Sequence, residues 1–175
     1  MNNNDLFEKT PISKAYFKLA LPVVLSMVIS LVYNMVDTYF VAQTQNTNLV
    51  AGVSLCAPIF TLMIALGDIF GIGGSSVISR LFGQKQDKEG KNVSGFCFYS
   101  AIICGILISI LMLIAKDPIL TLLGTNKATL PYASQYYTYM ALGATLIIVS
   151  LTPSNLMRTE GLATESMLGT ITGSI

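Results

Sequence analysis

Asp37 is the residue through which this chain most plainly offers chemistry. It lies in an apolar run, and no other Lys, Arg, Asp or Glu stands between Lys18 and Asp68. A carboxylate near the middle of a membrane helix costs about 2.5–3.5 kcal/mol on insertion scales, and residues kept at that cost usually bind or move something charged. Ser26, Ser30, Tyr33, Asn34 and Asp37 recur at steps of three and four, so on a helix they share one face, with Val, Leu, Ile and Met opposite. A polar face on a membrane helix points into a bundle or a wet cavity. The plainer role for such a stripe is interhelical hydrogen bonding, worth about 0.6 kcal/mol per bond. Pro22, near the start of the same helix, either begins the regular helix or bends it.

A second group follows. Gly67, Gly71, Ser75, Ser79 and Gly83 stand four residues apart, a spacing that predicts a small-residue packing seam where a neighbouring backbone comes close. Asp68 lies beside it as the second deep carboxylate, either structural or lining a cavity. The run Gly71-Ile-Gly-Gly-Ser-Ser76 is not a phosphate loop: it lacks the Lys-Ser/Thr pair and the last glycine of a dinucleotide fingerprint, and no strand precedes it.

Two membrane carboxylates raise the case of an intramembrane aspartyl protease. Ala65-Leu-Gly-Asp68 approaches that motif but begins with Ala, and Val36 rather than Tyr precedes Asp37. Depth argues more strongly against it: at 1.5 Å per residue the two groups differ by roughly 20 Å along the membrane normal. A proton-sharing dyad needs about 3 Å. A transporter fits better. An aspartate on a wet face can be protonated or ionised by turns, exchanging H⁺ or Na⁺ for a cationic solute. The only metal this implies is Na⁺ at Asp37 as one of two coupling ions, and no cofactor is expected.

The elements that must position these groups are membrane helices. The chain is 53% hydrophobic and 11% charged, against about 25% charged in soluble domains. Mean hydropathy is +0.65. A spanning helix needs about 20 mostly apolar residues. The runs predict an all-α polytopic bundle with spans near 15–42, 50–82, 93–115 and 131–157 and the start of a fifth at 166–175, after an N-terminal segment 1–14. Ten residues of helix rise only about 15 Å, half a hydrocarbon core, so the expectation is a longer parent protein. Pro58 and Pro153 are expected to bend the second and fourth spans by freeing carbonyls one turn back. Gly83 is expected to cap the second span. Asp117-Pro118 to Gly124 reads as a short interfacial helix, and Tyr132, Tyr136, Tyr137 and Tyr139 as an aromatic belt.

Net charge is +1, which selects no partner, but the placement of charge sets an orientation. Lys9, Lys14, Lys18, Arg80, Lys85, Lys88, Lys91 and Arg158 fall on one side of an alternating bundle, and only Lys116 and Lys127 on the other. The positive-inside rule then places the N-terminus in the cytoplasm. The first helix is too long for a cleavable signal, and no small-residue cleavage site follows it. Cys56, Cys97 and Cys104 all sit in apolar stretches and read as small buried hydrophobes; without His or a C-x-x-C pair there is no zinc or redox pattern.

Five segments carry a family resemblance: Leu19-Ala-Leu-Pro22, Tyr33-Asn-Met-Val-Asp-Thr-Tyr-Phe-Val41, Gly73-Gly-Ser-Ser-Val-Ile-Ser-Arg-Leu-Phe-Gly83, Asp117-Pro-Ile-Leu-Thr-Leu-Leu-Gly124 and Met157-Arg-Thr-Glu-Gly161. In this order and at these membrane positions they make the chain resemble the multidrug and toxic compound extrusion (MATE) transporters, in particular their bacterial multidrug branch. The resemblance implies a twelve-helix fold of two six-helix lobes, of which this chain is most of the first. It implies that Asp37 binds the coupling ion, that Tyr33 and Asn34 line the same cavity with Ser30 on their face, that the helix bends at Pro22, and that Arg158 and Gly161 lie in the turn after the fourth span. Ala42 departs from the glycine the family often has, and Asp68 is not part of the general pattern.

The resulting expectation is cation-coupled antiport exporting cationic, amphipathic drugs across a bacterial cytoplasmic membrane. The expected partners are the bilayer, the cationic substrate and the remaining half of the transporter, with no nucleic acid and no enzyme chemistry. The alternatives are a flippase of the same superfamily for lipid-linked substrates, and a non-transporting membrane scaffold subunit.

Overall fold

The computed structural model describes residues 11–174, so the segment 1–10, with Lys9, lies outside the described residues. Seven helices follow in order: α1 Ile12–Gln43, α2 Thr47–Leu55, α3 Ala57–Gly83, α4 Asp87–Ile114, α5 Lys116–Leu122, α6 Leu130–Thr159 and α7 Ala163–Ser174. No strand occurs among the described residues. Among the described residues, four stretches are long and apolar enough to cross a membrane: α1, α2 with α3, α4 and α6. The described residues form an all-α polytopic helix bundle.

The helix ends follow from local chemistry. Asn46 caps α2 by accepting from the Asn48 and Leu49 amides at 3.1 and 3.2 Å. The second span is two helices, not one: it breaks at Cys56, and α3 restarts with Pro58 in its first turn, where no amide proton is needed. The charged stretch after α3 is largely helical, because Asp87 and Glu89 sit in the first turn of α4, where the helix dipole favours them. Gly83 does not cap α3. The left-handed residue is Lys85 (φ 62), and the Gln86 amide reaches back to Leu81 O at 2.9 Å to close the turn. Gly124 and Gly161, both at φ 80, end α5 and α6 in the same way with glycine in the left-handed position.

α6 is the centre of the bundle, packed against α3 and α4 along its length and against α2, α5 and α7 at its ends. Its inward residues Ala133, Tyr137, Met140, Ala141, Ala144 and Ile148 form one buried cluster with Cys56, Met63, Met112 and Leu120. Small residues set the spacing. A Cβ on Gly52 would lie 3.0 Å from the Ala133 amide nitrogen, and one on Gly105 would lie 3.0 Å from Thr145 Cα. Cys56 and Cys97 are buried and Cys104 is half-buried, all three with free thiols.

α1 stands apart. It packs chiefly on α7, with Pro22 and Ser26 buried, and touches α2 near its far end; its contact with α3, α4 and α6 is slight. Every residue from 31 to 40 is exposed. A gap therefore separates the second half of α1 from the α3–α6 pair.

Candidate functional site

The sequence-derived residues fall on α1 and on the packed pair α3 and α6. On α1, Ser26 Oγ donates to Val23 O at 2.7 Å and Ser30 Oγ to Ser26 O at 3.0 Å, so both hydroxyls bond back along their own helix. Pro22 lies inside α1, which removes the amide that would have met Lys18 O. About three to four turns beyond Pro22, Tyr33, Asn34 and Asp37 project from the exposed part of the helix. Asp37 forms no hydrogen bond or ion pair among the described residues. Its electrostatic neighbour is on another helix: Asp37 and Tyr136 of α6 are close enough for the carboxylate charge to act on the phenol.

The four tyrosines do not share one environment. Spacings of four, one and two residues send the side chains round α6 rather than along one face. Tyr132 accepts from Asn46 Nδ2 at 3.0 Å, tying α2 to α6. Tyr137 is fully buried and donates to Met112 O at 3.0 Å. Tyr136 looks toward α1, and only Tyr139, 69% exposed, has the surroundings expected of a membrane belt. Sequence reading missed Tyr136 as a site residue. Its signal was its position one residue before the buried Tyr137, which puts it about 100° round the helix.

The second group is rearranged. Gly67 and Gly71 are at the close approach of α3 to α6, as the seam required, but Gly74 and Ile78 continue it and not Ser75 and Ser79. A strict four-residue repeat advances about 40° per step beyond a full turn, so by Ser79 it has left the contact. Ser75 Oγ donates to Ile72 O and Ser79 Oγ to Ser75 O, each at 2.8 Å, and Gly83 has open space around it. Asp68 is half-buried and accepts from Asn155 Nδ2 of α6 at 3.3 Å. Asn155 also went unread in the sequence; its signal was an amide two residues past Pro153, in a stretch otherwise scanned for bends. α6 runs on through Pro153 without interruption. Below it, Arg158 Nε donates to Ser166 Oγ at 3.2 Å and Ser166 Oγ to Ser154 O at 3.0 Å, pinning α7 against α6 beside Gly161.

Among the described residues no three His, Cys, Asp or Glu side chains converge as a metal site. The polar groups fall instead in two places: Asp37 on the exposed half of α1, and Asp68 bonded to Asn155 between α3 and α6. Asp37 and Asp68 are in different places, each with its own neighbour on α6, so no catalytic dyad forms.

Among the described residues, four apolar spans define a polytopic membrane protein. The family model described as MatE matches residues 22–175, and the chain belongs to that family. It is 32% identical over 163 residues to the multidrug export protein MepA of Staphylococcus aureus (strain NCTC 8325 / PS 47), covering 93% of this chain and 36% of that protein. The same figures hold for MepA of Staphylococcus saprophyticus. Among solved structures, an outward-facing multidrug resistance MATE family transporter of the MOP superfamily superposes with a TM-score of 0.91 at 29% identity, over 99% of this chain and 38% of that one. A MATE in complex with MaD3S gives 0.92 at 29% identity, over 99% and 39%. The chain thus spans a little over a third of the length of these relatives. The chain is a piece of a MatE-family membrane protein whose relatives are named as multidrug export proteins.

Proposed function

We propose that the full-length protein is a cation-coupled antiporter that exports cationic, amphipathic compounds, with Asp37 as the coupling group. The observation that carries this reading is the state of Asp37: a carboxylate in a membrane-spanning helix, exposed to the gap, with no cationic side chain paired to it among the described residues. A charge so placed needs a counter-ion. A proton or Na⁺ serves, and release of that ion leaves a negative site that favours a positively charged solute. Tyr33, Asn34, Ser30 and Tyr136 supply polar neighbours on the two walls. The gap's membrane-depth charges are acidic, which favours a cationic cargo over the anionic lipid-linked substrate of a flippase. Relatives named as multidrug export proteins support the same reading.

The remaining helices of the transporter would complete the lobe around α1 and add the second lobe. The excess of basic residues at the Arg80, Lys85 and Arg158 end supports a cytoplasmic position for that end and the N-terminus, with the protein in the cytoplasmic membrane of a bacterial cell. The test is ethidium efflux from a drug-sensitive bacterium expressing the full-length protein, with and without a pH gradient and with and without Na⁺. Wild type is expected to extrude ethidium under one of the two gradients, and Asp37→Asn to lose that dependence. Undiminished, gradient-dependent efflux in Asp37→Asn contradicts the proposal.

A further inference from the structure

Between α4 and α6, toward the end of the bundle that carries Lys85, Lys88 and Lys91, the protein surface holds a groove of about 390 Å³. None of the residues lining it belongs to α1 or α3. Phe98, Pro153, Leu156 and Met157 make its apolar part, and Ser94 and Glu160 its polar end. The order along the membrane follows from the packing. A Cβ on Gly74 of α3 would lie 2.6 Å from Cys97 Sγ and 3.6 Å from Leu156 Cδ2, so Cys97 and Leu156 are level. Further along α4, Ser109 Oγ donates to Ala141 O, so the two helices run antiparallel. Ser94, three residues before Cys97, is therefore level with Thr159 and Glu160. From Glu160 the groove extends about 10 Å along the helix axis to Pro153.

One residue keeps it open at no benefit to the fold. Gly95 lines the groove, and a Cβ there would meet nothing within 4 Å. Gly52, Gly67 and Gly105 are small because a neighbour's backbone presses on them; Gly95 is not. Glycine inside a helix is destabilising relative to alanine, so the packing of α4 gives no reason for it, and the space in front of it does. The groove also opens toward lipid. Phe96, Tyr99, Ile103 and Leu107 are exposed and follow at steps of three and four, an apolar face suited to acyl chains. Tyr99 belongs to that face and lines the groove as well.

The charges at the polar end have both signs. Lys91, exposed, stands three, four and seven residues before Ser94, Gly95 and Phe98, so it shares their face of α4, about 4.5 Å beyond Ser94. Glu160 is on the opposite wall. A carboxylate has about four lone-pair sites, so it can accept from an ammonium alongside a protein donor. It repels a headgroup that carries only negative charge, while a lysine beside it attracts a phosphate. An apolar slot ending in this pair complements a zwitterion with a hydrocarbon tail.

We propose that the groove binds an amine-bearing phospholipid, with the ammonium on Glu160, the phosphate toward Lys91 and the first part of one acyl chain between Phe98 and Pro153. The site is separate from Asp37 and from any exported compound, and it stands or falls independently of the export reading.

The test uses full-length protein purified in detergent and titrated with dioleoylphosphatidylethanolamine or dioleoylphosphatidylglycerol, the bound lipid being counted by native mass spectrometry. Wild type is expected to bind the ethanolamine lipid at least about fivefold more tightly than the glycerol lipid. Gly95→Leu, which places atoms in the groove where no others stand, is expected to weaken the ethanolamine lipid at least about tenfold without lowering the melting temperature. Glu160→Gln is expected to bring the two lipids within about twofold of each other. Equal affinities in wild type overturn the inference, as does an absence of bound lipid, which is the outcome if a later helix of the same chain covers the groove. Wild-type affinity in Gly95→Leu overturns it as well. Should Gly95→Leu fail to fold, an undiminished preference for the ethanolamine lipid in Glu160→Gln overturns it instead.

Discussion

Gly71 is the residue that lets Asn155 reach Asp68. The amide of Asn155 crosses from α6 to donate to Asp68 Oδ1, and a Cβ on Gly71 would lie 2.6 Å from its Nδ2. Close approach of two helices and pairing of a deep carboxylate are thus one event in the structure.

The glycines of α3 should separate by what they face. Gly67 faces the Ile148 carbonyl at 3.0 Å and Leu151 Cδ1 at 2.8 Å, so an added methyl must move backbone. Gly71 faces the far end of a flexible side chain, and Gly73 faces nothing within 4 Å. Thermal unfolding in detergent is expected to show Gly67→Ala as the most destabilising, by about 2 kcal/mol. Gly71→Ala is expected to cost about 1 kcal/mol, through the lost hydrogen bond. Gly73→Ala is expected to be neutral or stabilising by up to about 1 kcal/mol, through helix propensity.

Adjacent tyrosines should behave oppositely. Tyr137→Phe leaves the buried Met112 carbonyl without its donor and is expected to lower stability by about 1–2 kcal/mol with transport retained in the folded fraction. Tyr136→Phe removes no hydrogen bond among the described residues and is expected to leave the melting temperature unchanged while altering the pH or Na⁺ dependence of efflux, because the group it loses faces Asp37. Equal effects of the two substitutions on both readouts would contradict the assignment.

Thr152 is fully buried and its Oγ1 has no hydrogen-bond partner among the described residues. A buried hydroxyl without a partner carries its desolvation cost uncompensated. Thr152→Val keeps the shape and removes that group, so it is expected to raise stability by about 1 kcal/mol. A comparable loss would show that the hydroxyl is partnered in the complete protein.

How far the sequence carries can be seen residue by residue. Gly124 was readable as the end of α5 because its backbone constraint is local. Asn155 was not, since its importance comes from Asp68, 87 positions away in sequence. The seam on α3 was half right. Gly67 and Gly71 belong to it, but a four-residue repeat drifts off a helix of about 3.6 residues per turn, and only the neighbour's position shows where the contact turns to Gly74. Lys85 in a left-handed turn, with Gly83 unused, shows tertiary context overriding the residue best suited to the conformation. The tyrosines were grouped by proximity in sequence, and the helix distributed them among different environments.

The most direct measurement concerns the ion itself. Purified full-length protein, loaded with H⁺ or Na⁺ in weak buffer, is mixed with ethidium, and the ion released per protein is recorded for wild type and Asp37→Asn. If Asp37 is the coupling group, wild type releases about one cation on binding substrate and Asp37→Asn releases none while still binding ethidium. Equal release from the two proteins would contradict it.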